Sequence, residues 1–239
     1  MNISDKRIVL LGGTSGIGLA TARLLSSRGA EVIVASRREE AVSAALQSLP
    51  ATASGHAIDL LDEQAIAELF AKIGPFDDLV YTAGEPLALM EVASMDLLAA
   101  RDFFRLRYFS ALAAAKHAIA TIRPGGSITL TTGSAAERPS PGWAIASSLC
   151  GAVTALTKAL AVELAPIRVN AVAPGVVRSP LWSAMSDEDR DGYFAAVGAS
   201  LPVGRVGEVD EIALAYAYLI EQPFSTGTVI GLDGGALLA

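Results

Sequence analysis

Apolar residues along this chain fall into two alternating patterns. Short apolar runs bounded by glycine or charge give way to longer stretches in which apolar positions recur every three or four residues. The runs at 7–11, 31–35, 56–58, 79–81, 126–132, 168–172 and 227–232 read as seven strands. The stretches at 19–28, 39–49, 61–73, 95–122 and 144–164 read as helices, with further helices between the sixth and seventh strands. Repeated β-α units predict an α/β fold, a doubly wound, seven-stranded parallel sheet with helices on both faces. Ligands of such sheets bind at the carboxyl ends of the strands, near the point where strand order reverses.

The first strand runs into Gly12-Gly13-Thr14-Ser15-Gly16-Ile17-Gly18 and then into the first helix. Glycine lets a backbone turn sharply and approach a ligand without a Cβ in the way. The helix start adds N–H groups and a positive dipole end. In a β-α-β setting the usual tenant is the pyrophosphate of a dinucleotide, which makes the sheet Rossmann-like. Gly12, Thr14, Ser15, Gly16, Ile17 and Gly18 are the candidate ligands. The simpler alternative is a turn that only joins strand to helix. Strand two ends in Ser36-Arg37-Arg38, where the adenosine ribose should lie. A carboxylate there would bind two ribose hydroxyls and repel a 2′-phosphate, whereas guanidinium matches phosphate in geometry and charge. The three residues favour NADP(H) over NAD(H); the alternative is a solvated basic helix start.

Composition narrows the class. The 239 residues have no linker-like stretch and no internal repeat, so 1–239 reads as a single domain. Apolar residues make up 52% of the chain, enough to cover both faces of a sheet. A net charge of −7 argues against a nucleic-acid or anionic membrane partner. The sole cysteine, Cys150, excludes an internal disulfide and suits a reducing cytoplasm. Residues 1–13 carry Asp5 and Lys6 ahead of a strand-length apolar run, which is not a signal-peptide pattern. Residues 139–157 are uncharged, but their prolines, glycines and hydroxyls read as a buried helix with its entry loop. Two distant histidines and one cysteine provide no metal-ligand spacing, so no metal is expected.

The spacing Gly12-x-x-x-Gly16-x-Gly18 resembles that of the short-chain dehydrogenase/reductase family. Asp59-Leu60 matches the family's acidic-apolar pair at the adenine, although Asp59 equally suits a helix N-cap. Thr82-Ala83-Gly84 stands where the family has Asn-Asn-Ala-Gly. The run from Arg168 to Pro174-Gly175 resembles the family's sixth strand and Pro-Gly turn, and Val177 and Ser179 fall where its members meet the nicotinamide carboxamide. Thr226-Gly227-Thr228 and Leu232-Asp233-Gly234-Gly235 match its C-terminal signature. The resemblance covers almost the whole chain. It implies hydride exchange with a carbonyl or alcohol, and a homo-oligomer, tetramer or dimer, built partly from the long helices.

The resemblance breaks at the proton. The family uses a Tyr-x-x-x-Lys pair on one helix face, a Ser that orients the substrate oxygen, and an Asn on the preceding long helix. Here the Tyr position falls on Ala146, the Lys position on Cys150 and the Asn position on Arg107; the Ser position falls near Gly133, with Ser134 one residue on. No Tyr-x-x-x-Lys occurs anywhere in the chain. Tyr81, Tyr108, Ser134 or a bound water are the candidate proton sources. Arg107 is a candidate to polarise a substrate oxygen, or else an interface ion pair. Trp143 is placed to wall the pocket. Cys150 reads as an inert small residue rather than a nucleophile. A substrate loop at about 176–207 holds Leu181, Trp182, Met185, Tyr193 and Phe194, which suit an apolar or aromatic small molecule. Its acidic run at 187–191 suits a solvated helix start. The expected function is an atypical NADP(H)-dependent oxidoreductase with Ser134, Arg107 and Tyr81 at its centre and Trp143, Ala146, Cys150, Leu181 and Trp182 around the substrate. The alternatives are an NADP(H)-binding protein without turnover, or a redox-neutral enzyme that reuses the pocket.

Overall fold

The computed structural model describes residues 3–87 and 89–239. Strands β1 (Arg7–Leu11), β2 (Glu31–Ser36), β3 (Ser54–Ala57), β4 (Phe76–Tyr81), β5 (Ile122–Thr131) and β6 (Arg168–Pro174) form a parallel sheet, completed by a strand near the C-terminus. The helices that link them are α1 (Gly16–Ser27), α2 (Glu39–Leu46), α3 (Glu63–Ile73), α4 (Leu97–Phe104), α5 (Ala111–Ala118) and α6 (Ala144–Glu163). After β6 the chain makes a short strand β7 (Val177–Arg178), helix α7 (Asp187–Ser200), a short strand β8 (Gly207–Glu208) paired with β7, helix α8 (Val209–Glu221) and the closing strand β9 (Val229–Leu232). The sheet order is β3-β2-β1-β4-β5-β6-β9, so the order reverses between β1 and β4. The predicted Rossmann-like architecture is therefore the observed one.

Strand periodicity divides the core. Alternate β1 residues point to opposite faces. Val9 and Leu11 pack with α3, α5 and α6, whereas Ile8 and Leu10 pack with α1 and α8. Among the described residues α6 alone is long and apolar enough to cross a membrane, but its Leu149, Val153, Leu156 and Leu160 pack into the core beside β5 and β6. Two structural ties fix the sheet's right half. Arg168 donates from Nη1 to the Leu219 carbonyl at 2.9 Å and from Nη2 to that of Ile220 at 3.3 Å, which places a cation on the negative end of α8. Asn170 donates to the Ser225 carbonyl and accepts from the Thr228 N–H, so it binds β6 to the entry of β9.

Among the differences from the sequence reading, three have a clear physical reason. Strand β4 starts at Phe76, three residues before the predicted 79, because Asp78 is wholly buried. Lys6 Nζ lies 2.7 Å from its carboxylate and Ser127 Oγ donates to it at 2.6 Å. Burial pushes this carboxyl up from its ordinary value, against the pull of Lys6. The single helix predicted over 95–122 is instead α4 and α5 joined by a π-helical turn, Arg105–Ser110. The N-cap of α3 is Asp62, which accepts from the N–H groups of Gln64 and Ala65, and not Asp59. Asp59 closes a local turn by accepting from the Leu61 N–H at 2.9 Å.

Candidate functional site

A cavity of about 550 Å³ opens at the carboxyl ends of β1, β2, β4, β5 and β6. Its first wall is the glycine turn. Gly12 has φ +92°, and a Cβ there would stand 2.4 Å from Ala83 N; a Cβ on Gly18 would stand 2.2 Å from Gly12 O. These two glycines let β1, β4 and α1 close upon one another. Ser15 forms no side-chain cap bond, and Thr14, Ser15, Gly16 and Ile17 border the cavity with the first turn of α1. Ser36, Arg37, Arg38, Asp59 and Leu60 line the same end, with both arginines exposed. Ala83 and Gly84 line the middle. A cradle that any Cβ would fill, a helix start and two accessible guanidinium groups fit the pyrophosphate and 2′-phosphate of NADP(H).

The other end of the cavity is bordered by Pro174, Gly175, Val177 and Ser179. A Cβ on Gly175 would stand 2.8 Å from Asp233 Cα, so the turn after β6 sits directly on the C-terminal glycine signature. The roof is aromatic. Trp182 donates from Nε1 to the Val177 carbonyl at 3.0 Å, and its ring centre lies 4.9 Å from that of Tyr193 and 6.5 Å from that of Trp143. A backbone bond from Leu87 N to Leu181 O, 2.9 Å, clips the loop after β4 to this roof. The acidic run 187–191 lies on α7, where Ser186 accepts from the Asp189 N–H as N-cap and Asp187, Glu188 and Asp189 occupy the first turn.

The cavity lining also includes Ser134, Trp143, Ala146, Cys150 and Arg107. The π turn carries Arg107 into it. Widened turns of this kind are frequent at functional sites. The guanidinium lies over Gly84, where a Cβ would meet Nη1 at 2.5 Å, and 5.3 Å above the Phe103 ring. Its Nη2 donates to the Glu85 carbonyl. Burial draws the Arg107 pKa down, and Glu85 draws it back up. Gly133 faces Cys150, since a Cβ there would stand 3.1 Å from Sγ. Tyr81 is corrected as a proton source. Its ring is buried, it does not line the cavity, and its hydroxyl donates to the Leu106 carbonyl at 2.6 Å and meets Ser110 Oγ at 2.9 Å. Burial pushes its pKa above the ordinary phenol value. Tyr81 holds the π turn against β4.

Cys150 also yields a direct expectation. Burial pushes its thiol pKa up, while the Arg107 guanidinium pulls it down. The net direction is upward, so at neutral pH the group is a protonated thiol. Iodoacetamide should therefore react with this sole cysteine more slowly than with free cysteine at pH 7.5, and the rate should still be climbing above about pH 8.5. Arg107→Met should move the profile to still higher pH. A midpoint below that of free cysteine would contradict the picture.

Glu85, Leu87, Phe103, Leu106 and Leu149 line the cavity without having been singled out from the sequence. The signal for Glu85 was its place directly after the strand-end glycine Gly84; the others carry no local signature.

Comparisons with known proteins fit this geometry. A family model described as an SDR-like Rossmann domain matches residues 2–239. A short-chain dehydrogenase/reductase of Stachybotrys chlorohalonatus, ATR9, is 34% identical over 251 residues, covering 99% of this chain and 98% of that protein. A crystal structure of a small-chain dehydrogenase in complex with NADPH is 38% identical with a TM-score of 0.88, covering 98% of this chain and 100% of that one. The structure of the MalC reductase/Diels-Alderase from Malbranchea aurantiaca is 29% identical with a TM-score of 0.89, covering 98% of this chain and 96% of that one.

Proposed function

Because the chain belongs to the short-chain dehydrogenase/reductase family, we propose that it is an NADP(H)-dependent oxidoreductase acting on a small apolar or aromatic carbonyl or alcohol, with a proton source other than the family's tyrosine. The observation that carries this reading is the continuity of the cavity. One space joins Arg37 and Arg38 to Ser179 and Trp182, and an adenosine-only binder would have no use for the second end. NADP(H), when bound, supplies or accepts the hydride. The chain's residues do the rest. Arg37 and Arg38 take the 2′-phosphate, and the Gly12–Gly18 turn takes the pyrophosphate. Pro174, Gly175, Val177 and Ser179 take the nicotinamide. Arg107 polarises the substrate oxygen in a partly desolvated site, where a fixed cation acts more strongly than in water. Ser134 or an admitted water delivers the proton. Trp143, Leu181 and Trp182 exclude bulk solvent.

The test is a calorimetric titration with NADPH and NADH. NADPH should bind more tightly, and the double variant Arg37→Ala, Arg38→Ala should lose about 10- to 100-fold of NADPH affinity while NADH changes little. Binding of neither dinucleotide would overturn the proposal.

A second reading rests on Ala146, which lines the cavity where a tyrosine acid would stand. It is that of a protein that binds NADP(H) without turnover, or of a redox-neutral enzyme; the similar MalC structure carries a name of both kinds, reductase and Diels-Alderase. Binding of NADPH without its oxidation by any ketone in a broad panel would favour it. We also propose a homo-oligomer, dimer or tetramer, through the exposed apolar groove of Leu97, Phe104, Phe109 and Ile145, and a cytoplasmic site of action.

A further inference from the structure

We propose that Arg178 is a positioning residue that latches the aromatic roof onto the cavity, and that its release lets the roof lift from the end bordered by Ser179. The inference goes beyond the proposed activity and rests on that reading only for what the roof covers. Strand geometry sets the latch. Along β7 and the extended Ser179, successive side chains point to opposite sides, so Val177 and Ser179 border the cavity while Arg178 between them does not. On the far side its guanidinium carbon lies 4.7 Å from the centre of the Phe194 ring. Its Nη1 stands 3.6 Å from Asp191 Oδ1 on α7, and its Nε 3.5 Å from Glu208 Oε1 on β8. One cation thus ties the entry of the substrate loop to its helix and to its exit.

What the latch holds is thinly packed. Trp182, Phe194 and Val206 form a small cluster of their own, apart from the two large ones that flank the sheet. The buried residues of α7 are Phe194 and Gly198, so one large side chain anchors its 14 residues. Phe194 meets Trp182 at 88° with ring centres 6.2 Å apart, and Arg178 lies over the Phe194 ring. Trp182 in turn borders the cavity. Displacing the cation is therefore felt at the cavity through two rings. A segment with few buried apolar contacts opens locally at a lower free energy than the whole fold unfolds. The side chains of Asp191 and Glu208 are 72% and 53% exposed, so added salt weakens both ion pairs. Cys150 supplies a readout. It is the sole cysteine, and it lines the cavity that the roof covers. Arg107 and Thr132, not Arg178, are the side chains that act on its thiol, so its labelling reports access.

The test follows modification of Cys150 by dithiodipyridine, a neutral two-ring reagent, at fixed pH, with urea unfolding measured beside it. Arg178→Met, which keeps an apolar stem and loses the charge, should raise the rate about tenfold. Arg178→Lys should reverse part of that rise, since it keeps the charge without the planar stacking. Asp191→Asn, which removes one ion pair, should raise the rate about two- to threefold. Raising NaCl from about 50 to about 500 mM should speed labelling of the parent about twofold and leave Arg178→Met unchanged. No acceleration in Arg178→Met, a salt response equal in the two proteins, or an acceleration matched by an equal loss of global stability would overturn the latch. If Arg178→Met does not fold, Asp191→Asn decides alone, and a rate equal to the parent's overturns it. The labelling needs no cofactor. Binding of neither dinucleotide therefore sinks the cofactor reading and leaves this test intact.

Discussion

Gly12→Ala is expected to cost about 3 kcal/mol of stability, as left-handed strain and overpacking combine, and to weaken NADPH binding by about 100-fold. The backbone at Gly12 has φ +92°, which a side chain resists. The added Cβ would also stand 2.4 Å from Ala83 N, 2.6 Å from Ala83 Cα and 2.7 Å from Thr82 C. All three are backbone atoms at the end of β4, so the collision is relieved only by prising β4 away from β1. That movement widens the cradle at the point where the pyrophosphate is expected. Gly74→Ala is the control. It has φ +67° but nothing within 4 Å of the added carbon, so strain alone should cost about 1 kcal/mol, and NADPH affinity should not change. Urea midpoints and calorimetry on both variants check the pair. Equal losses would mean that the cradle is looser than the geometry states.

The double substitution Ala146→Tyr, Cys150→Lys is expected to raise NADPH-dependent reduction of acetophenone by about 10²- to 10³-fold over the parent, the usual range for a positioned general acid. Positions 146 and 150 are four apart on α6, hence on one face, and both line the cavity. Arg107 complicates the exchange. It lies near enough to Cys150 to pull the thiol pKa down, so a lysine there would meet a second cation. Adding Arg107→Asn should therefore increase the gain beyond that of the double variant. Initial rates at saturating NADPH, with binding measured beside them, check the series. No gain with NADPH binding intact would show that the cavity cannot present a ketone to that face of α6.

The sheet and the phosphate turn were legible because their signals are local. Strands β1 and β2 carry unbroken apolar runs, Ile8–Leu11 and Val32–Ala35, and Gly12, Gly16 and Gly18 sit where a strand meets a helix. That Val177 and Ser179 border the cavity was legible only through resemblance, since nothing in either residue alone points to a ligand. Other features depend on partners distant in the chain. Asp77 and Asp78 look like loop residues until Lys6 and Ser127 are seen to neutralise and bind Asp78 inside the sheet. Tyr81 looked available at a strand end, but Leu106 and Ser110 engage its hydroxyl. The Glu85–Arg107 ion pair spans 22 residues, and no spacing rule encodes its 3.8 Å approach.

The π turn between α4 and α5 has a consequence of another kind. An α-helix advances about 100° per residue, so a widened turn amounts to a phase shift between the two halves of one continuous rod. Upstream of it, Phe103 faces the core; downstream, Ala111, Ala114, Ala115 and Ala118 do so in a different angular frame. Arg107 lies in the slip between those frames. The direction in which its charge points is thus governed by how many residues the chain spends crossing from one frame to the other, and not by the identity of its neighbours alone. Removing one residue from that crossing would let both halves run as an ordinary helix, every core contact in register, with the cation swung out of the cavity. The electrostatics of this site are in that sense written in chain length.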